Sequence, residues 1–470
     1  MIIPDVDSNE PISRRLLPYA LLFLVPVALY LKSIGFGFIE SWDDANYVID
    51  NPFVHALSRE NLAAMFGTDI MSNYAPLHLL SYAVGYQLWG DSPAGYHAVN
   101  VVVHAANACL AYRLLRETTS DDRIAFWAAL LFAVHPVNVE NVAWISESKT
   151  LFATFFAFLA FLFYLRYLRT DRPPSLALAA LSFLAGSLFK STVVPLPLVL
   201  LAYHAFIGRG RPAWKPLVPF AAIAVLTAVL ALWAQARGGA VDRQELTADV
   251  LLGLVYPTMA PVYWKYLGLF LAPIGLSGMY DTTMHHSFLE PVVLLSLVGI
   301  IALLGVVFWK GNGQIRFWTA WICAFMLPEA NLIPLPVYYA DRYVYLETLG
   351  FSVLLVMAVR HGITWWSSND RLLRAALAAL VLAYGTLAFQ RLDVWRDDLV
   401  FWEDTARKSP NIYKTRLNLG ISYEMNGRLE EAEREYLASL ALRPTDDARY
   451  ALGMVRAKLE YARQQRAPGK

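Results

Sequence analysis

Three segments of this chain gather side chains able to move protons and hold phosphate. The first is Ser41-Trp42-Asp43-Asp44-Ala45-Asn46-Tyr47. Neighbouring carboxylates raise one another's pKa, and a carboxyl poised near neutral pH is a competent general base. An Asp-Asp pair ahead of an apolar run also caps helices, so both readings stay open at this point. The second is His135-Pro136-Val137-Asn138-Val139-Glu140, at the end of an apolar run, where an ionisable group is costly without a partner or a task. The third is cationic: Lys149, Lys190 and Arg342 stand near the ends of apolar runs. Each alone would be explained by snorkelling to the interface. Together they suit an anionic headgroup, because arginine grips phosphate at two points and lysine acts as a point charge. Asp43, Asp44 and Glu140 would also be the ligands of a divalent metal such as Mg or Mn, although their spacing matches no closed metal site.

Other chemistries lose their usual signatures. The chain has no Gly-rich phosphate loop, no nucleophile elbow and no zinc-protease helix. Few charges fall inside its apolar runs, which weakens an ion-coupled carrier.

The elements that must position these residues are apolar. Of 470 residues, 57% are hydrophobic and only 16% charged, where a soluble domain carries about a quarter charged residues. Mean hydropathy is +0.41. The chain therefore reads as an all-α polytopic membrane protein. Its net charge of +1 lacks the basic field of a nucleic-acid binder. Cys109 and Cys323 lie in apolar runs and read as buried small hydrophobes.

A polar stretch ending at Arg14-Arg15 precedes a first apolar run from Leu16 to Ile34, read as a retained span. Further runs lie at 95–115, 124–140, 150–168, 175–190, 192–208, 215–235, 289–308, 316–335, 343–362 and 372–390. About eleven spans result, given about 30 Å of hydrocarbon to cross. Two zones are irregular: 76–90 is amphipathic, and Pro257, Pro261 and Lys265 interrupt 247–272. Basic residues occupy alternate loops, including Arg14 and Arg15, Arg113 and Arg116, Arg166 and Arg169, Arg209 and Arg211, and Arg371 and Arg374. The positive-inside rule puts those loops and the N-terminus in the cytoplasm. The other loops, including the long ones at 35–94 and 236–288, hold most acids, among them Asp43, Asp44, Glu140, Glu147, Asp242, Glu245, Glu329 and Asp341. Chemistry is expected on that outer face.

Residues 391–470 differ sharply, being charged and helical in spacing. Within them Tyr413 to Asp446 resembles one 34-residue tetratricopeptide unit, with Leu419-Gly420, Tyr423, Gly427, Ala432, Tyr436 and Pro444 at the usual offsets. Domains are expected at 1–390 and 391–470, the second on the outer side. Such a tail would present a protein or peptide acceptor, or serve only as a helical cap.

Several segments in order then resemble one family. They are Trp42-Asp43-Asp44 with Ile49-Asp50-Asn51-Pro52, Ala75-Pro76-Leu77, Gly95-Tyr96-His97, His135-Pro136 with Glu140, Asp341-Arg342-Tyr343, and Trp395-Arg396-Asp397 with Trp402. The chain resembles the tetratricopeptide-bearing multispan glycosyltransferases of the GT-C superfamily, relatives of the transmembrane O-mannosyltransferases. The resemblance implies a sugar, mannose or another hexose, moved from a polyprenyl-phosphate donor to an acceptor hydroxyl, on protein Ser/Thr, at the exoplasmic face of a bacterial inner membrane. It also implies Asp43 as catalytic base, with Asp44 and Glu140 as supporting acids. Relatives often carry a basic residue before the Pro-Leu pair, and Ala75 stands there in this chain. Donor-phosphate binding then falls to Arg342, Lys149, Lys190 and His135. Glycosyl transfer passes through an oxocarbenium-like state and needs a base for the hydroxyl and fixed cations for the leaving phosphate. A single-step inverting displacement is expected. The rival readings are a non-catalytic membrane scaffold that recruits partners through its tail, and a lipid-linked sugar carrier.

Overall fold

The computed structural model describes residues 12–119, 121–208, 214–238, 247–366 and 369–466. Arg209, Arg211, Asp242 and Glu245 lie outside the described residues. The described chain is helical, with a single isolated bridge between Ile70 and Asn73.

After the first helix, α1 (Ile12–Tyr30), an irregular loop carries α2 (Arg59–Gly67) before α3 (Pro76–Trp89), α4 (Pro93–Thr119) and α5 (Asp122–Val134). A short α6 (Val139–Ala143) leads into α7 (Ser148–Thr170), α8 (Pro173–Phe189), α9 (Leu196–Phe206) and α10 (Val218–Gly238). Next come α11 (Tyr256–Leu271), α12 (Pro291–Lys310), α13 (Gly313–Phe325), α14 (Tyr345–Trp366) and α15 (Asp370–Leu392). The tail comprises α16 (Asp398–Lys408), α17 (Tyr413–Met425), α18 (Leu429–Leu442) and α19 (Asp446–Arg466).

Among the described residues, seven helical segments are long and apolar enough to cross a membrane. The protein is a multi-pass membrane protein with fewer full-length spans than the eleven apolar runs promised. Proline explains much of the difference. The run 124–140 stops as a helix at Val134, because His135 is extended ahead of Pro136. The run 192–208 has only eleven helical residues, starting at Leu196 after Pro195. The irregular zones form α3 and, after a π turn at Leu251–Val255, α11.

The helices sort by burial. The core joins α4, α5, α7 and α14, which pack on one another with Leu131, Phe132, Phe158, Phe161 and Leu349 fully buried. By contrast α12 shows Leu295, Val298 and Ile301 outward, as expected of a helix facing lipid. Both cysteines are free, and neither is fully buried: Cys109 is half-buried and Cys323 exposed.

Capping fixes where the buried helices begin. Asp121 accepts the Arg123 and Ile124 amides at the start of α5, and Asp397 accepts the Val400 amide at the start of α16. In the tail, α17 and α18 lie against each other where Gly420 meets Tyr436. A Cβ at Gly420 would lie 2.5 Å from the Tyr436 ring, so only glycine allows this approach.

Candidate active site

At one end of the bundle, four stretches converge: the loop after α1, the turns flanking α6, the loop between α13 and α14, and α16. The first loop is folded around Asp44. Its Oδ2 accepts the Ile39 amide at 2.8 Å. Its Oδ1 accepts the Ser146 amide at 3.0 Å and the Ser146 hydroxyl. Burial pushes the Asp44 carboxyl up to about 7, opposed by the Ser146 hydroxyl and the Ile39 amide. Asp44 is thus a strut tying the first loop to the second.

The strut leaves Asp43 aimed elsewhere. Asp43 is half-buried, and among the described residues no side chain or amide hydrogen-bonds to its carboxylate. Burial raises its pKa, while Lys149 and Arg342 pull it down. A carboxylate in that state has free lone pairs for an incoming hydroxyl proton.

Trp42 fixes the loop from the other side. Its ring stacks on Trp144 with centroids 4.2 Å apart, and the Arg342 guanidinium lies 5.3 Å from its centroid.

The cations come to the same place from three separate parts of the chain, and each is held differently. Arg342, in the turn leading to α14, donates from Nη1 to Glu140 Oε1 at 2.7 Å. Lys190, at the end of α8, donates to Glu147 Oε2 at 3.0 Å and to Thr150 Oγ1 at 2.8 Å. Lys149 reaches Glu147 Oε1 only at 3.6 Å and lies 4.8 Å over the Tyr47 ring. Lys149 is therefore the cation least committed to a protein acid.

Two acids missed by sequence reasoning as site residues enter here. Glu147 sits between Lys149, Lys190 and Arg342, whose Nε is 4.0 Å away, and it organises all three. Glu329 is buried in the loop after α13 and is influenced by Lys190 and Arg342. Glu147 was legible as an acid two residues before Lys149. Nothing local marks Glu329, which reaches the site only through the fold.

His135 departs from its expected role. Its Nε2 lies 3.1 Å from the Phe270 carbonyl and its Nδ1 accepts the Val137 amide at 3.3 Å. With both nitrogens engaged and its ring against Tyr384, it is a packing residue outside the cationic cluster. The expected metal trio does not assemble either. Among the described residues no three His, Cys, Asp or Glu side chains converge as ligands. The Asp44 oxygens are taken by N–H and O–H donors, and Glu140 Oε1 by Arg342. As arranged, Asp43, Asp44 and Glu140 do not form one ligand set for a divalent ion.

An apolar cleft of about 300 Å³ runs between α3, α4, α7 and α8, lined by Leu77, Leu80, Trp89, Phe152 and Phe189. Ser148, the residue before Lys149 in the chain, also lines it.

Against this geometry, the family of dolichyl-phosphate-mannose-protein mannosyltransferases matches residues 73–237. The chain is 24% identical to protein O-mannosyl-transferase F38B6.6 of Caenorhabditis elegans, over 92% of this chain and 63% of that protein. It is 22% identical to human protein O-mannosyl-transferase TMTC3, over 90% of this chain and 51% of that one. The chain thus spans between half and two thirds of the length of these relatives. Among solved structures, the apo oligosaccharyltransferase of Archaeoglobus fulgidus is similar with a TM-score of 0.47 and 12% identity, covering 82% of this chain and 57% of that one. ArnT of Cupriavidus metallidurans, bound to undecaprenyl phosphate, is similar with a TM-score of 0.40 and 11% identity, covering 91% and 80%.

Proposed function

We propose that this protein is a membrane glycosyltransferase that moves mannose or another hexose from a polyprenyl-phosphate donor to a hydroxyl of a protein acceptor. The observation that carries this reading is Asp43: a half-buried carboxylate without a hydrogen-bond partner among the described residues, under the influence of the Lys149 and Arg342 cations. A site with a free base beside clustered cations suits attack by a hydroxyl on a sugar whose leaving group is a phosphate. The similarity to proteins named protein O-mannosyl-transferases supports the acceptor class.

In this mechanism the isoprenoid chain lies along the apolar cleft and Lys149 meets the phosphate where the cleft ends. Arg342, oriented by Glu140 and Glu147, stabilises the charge that develops on the leaving phosphate. Asp43 takes the proton as the acceptor oxygen bonds to the anomeric carbon and the carbon–phosphate oxygen bond breaks. The step is a single inverting displacement. The positive-inside pattern, which would put these acids in outer loops, supports an exoplasmic reaction with the N-terminus cytoplasmic and the tail outside, in our reading at a bacterial inner membrane.

The test is transfer from a radiolabelled polyprenyl-phosphate mannose to periplasmic proteins by the purified, detergent-solubilised chain, with Asp43→Asn alongside. Transfer by the wild type and its loss in the variant are expected. Full-rate transfer by Asp43→Asn would remove the base assignment, and release of no free polyprenyl phosphate would favour a carrier.

A further inference from the structure

The tail begins, by composition, where the last apolar helix ends. The contacts of α16 cross that boundary. The amide of Ser41 donates to Asp398 Oδ1 at 3.0 Å and its hydroxyl to the same oxygen at 2.8 Å. Trp402 donates from Nε1 to Ser41 Oγ at 2.6 Å. The Trp42 ring lies 5.4 Å from both Phe401 and Trp402. A step further back, the Gly37 amide donates to the Arg396 carbonyl at 3.0 Å. The residue immediately before Asp43 is thus wedged between the second loop, through Trp144, and the tail.

The other flank of α16 holds the arginine side of the site. Lys408 donates to the Leu276 carbonyl at 2.7 Å, and the Ser409 hydroxyl to the Met279 carbonyl at 2.7 Å. Phe401 presses on Gly278, where a Cβ would meet its ring at 2.2 Å. From this clamped segment Tyr280 donates to Asp341 Oδ1 at 2.5 Å, and Asp341 precedes Arg342. A buried Arg391–Asp404 pair at 3.1 Å fixes α16 to the end of α15.

We propose that α16 is part of the catalytic unit, with Asp398 and Trp402 as positioning residues that, through Ser41 and Trp42, set where Asp43 stands relative to Arg342. This rests on the reading of Asp43 as base and Arg342 as phosphate clamp. The physical basis is the choice of bonds. An indole ring can pack against many apolar surfaces, but its buried N–H needs one acceptor, and that acceptor is Ser41 Oγ. Asp398 in turn takes both donors of Ser41, so the backbone and side chain of one residue are fixed together. Displacements of about 1 Å at reacting groups cost on the order of 100-fold in rate.

The experiment uses the full chain in detergent with Trp402→Phe, which keeps an apolar ring and removes the donor, and with Ser41→Ala, which removes both side-chain bonds. Two readouts are taken: amide hydrogen exchange across 41–50, and kcat with the KM for polyprenyl-phosphate mannose. Both variants are expected to speed exchange at 41–50 by about 10-fold, the equivalent of one lost hydrogen bond, while exchange in α4 and α7 stays unchanged. The kcat is expected to fall about 10- to 100-fold with donor KM within about two-fold of the wild type. Unchanged exchange at 41–50 in both variants overturns the proposal, as does faster exchange with unchanged kcat. A wild type without transferase activity would end the functional reading, and the exchange measurement would still decide whether α16 holds the loop.

Discussion

Asp44 and Ser146, 102 positions apart, are joined through both the amide and the hydroxyl of the serine. That junction closes the first loop onto the second and commits one of two adjacent aspartates to structure. The other, Asp43, is left without a bond of its own among the described residues. The paired acids that the sequence offers as equals therefore have separate tasks, and their variants should behave differently.

Asp43→Asn should leave the fold intact and lower kcat by about 100- to 10,000-fold, the usual contribution of a general base. Its melting temperature should match the wild type within error. The transfer assay together with thermal unfolding checks both halves of this expectation.

Asp44→Asn should do the reverse in order of cause. Its amide nitrogen would face an N–H donor at Ile39 or Ser146, leaving a buried donor unpaired at a cost of about 1–3 kcal/mol. The wild-type carboxyl also carries a sign. Its pKa of about 7 lies above the value of about 3.9 for an unfolded chain, so the proton binds the folded form more tightly. That stabilisation is complete below about pH 4 and fades as pH rises through about 7. Thermal unfolding between pH 5 and 8 should show the wild type losing stability as pH rises and Asp44→Asn giving a flatter curve.

Activity should have an acidic limb. Asp43 accepts a proton only when ionised, and burial holds its carboxyl above the ordinary value of about 3.9. The rate should therefore rise with pH through a midpoint above that value. Lys149 is the strongest pull in the opposite direction. Lys149→Gln should move the limb to higher pH, and a pH–kcat/KM profile that does not move would separate Lys149 from Asp43.

The lysines should also separate from each other. Lys149→Ala removes the least committed cation and should raise donor KM about 10- to 100-fold, the worth of one bond to a charged group. Lys190→Ala takes from buried Glu147 its shortest cation bond while Lys149, Arg342 and the Thr150 hydroxyl remain beside it, so its main effect should be on stability, at about 1–3 kcal/mol. Donor titrations and unfolding curves for the two variants distinguish the cases.

Much of the site was legible because charges are rare in this chain. Asp43, Glu140, Lys149, Lys190 and Arg342 stand at or near the ends of apolar runs, where burying an unpaired charge is too costly to occur without a partner or a role. The helical class was equally plain from hydropathy. Less legible were the lengths of the helices, since Pro136 and Pro195 cut apolar runs that composition alone joins. His135 looked functional for the same reason as Glu140, yet its ring nitrogens are both used by backbone.

The sequence by itself determined that this chain enters a membrane, that its few charges gather at loop ends, and which residue types can do chemistry there. Those properties follow from local composition, because hydrocarbon tolerates only helices with satisfied backbones and penalises stray charge. The tertiary structure alone decided which of two neighbouring aspartates is free, which lysine is uncommitted, and that a helix from the polar tail braces the first loop. Such outcomes depend on partners tens to hundreds of residues away. A hydrogen bond or ion pair has no signature in either residue until folding brings the two within about 3 Å of each other.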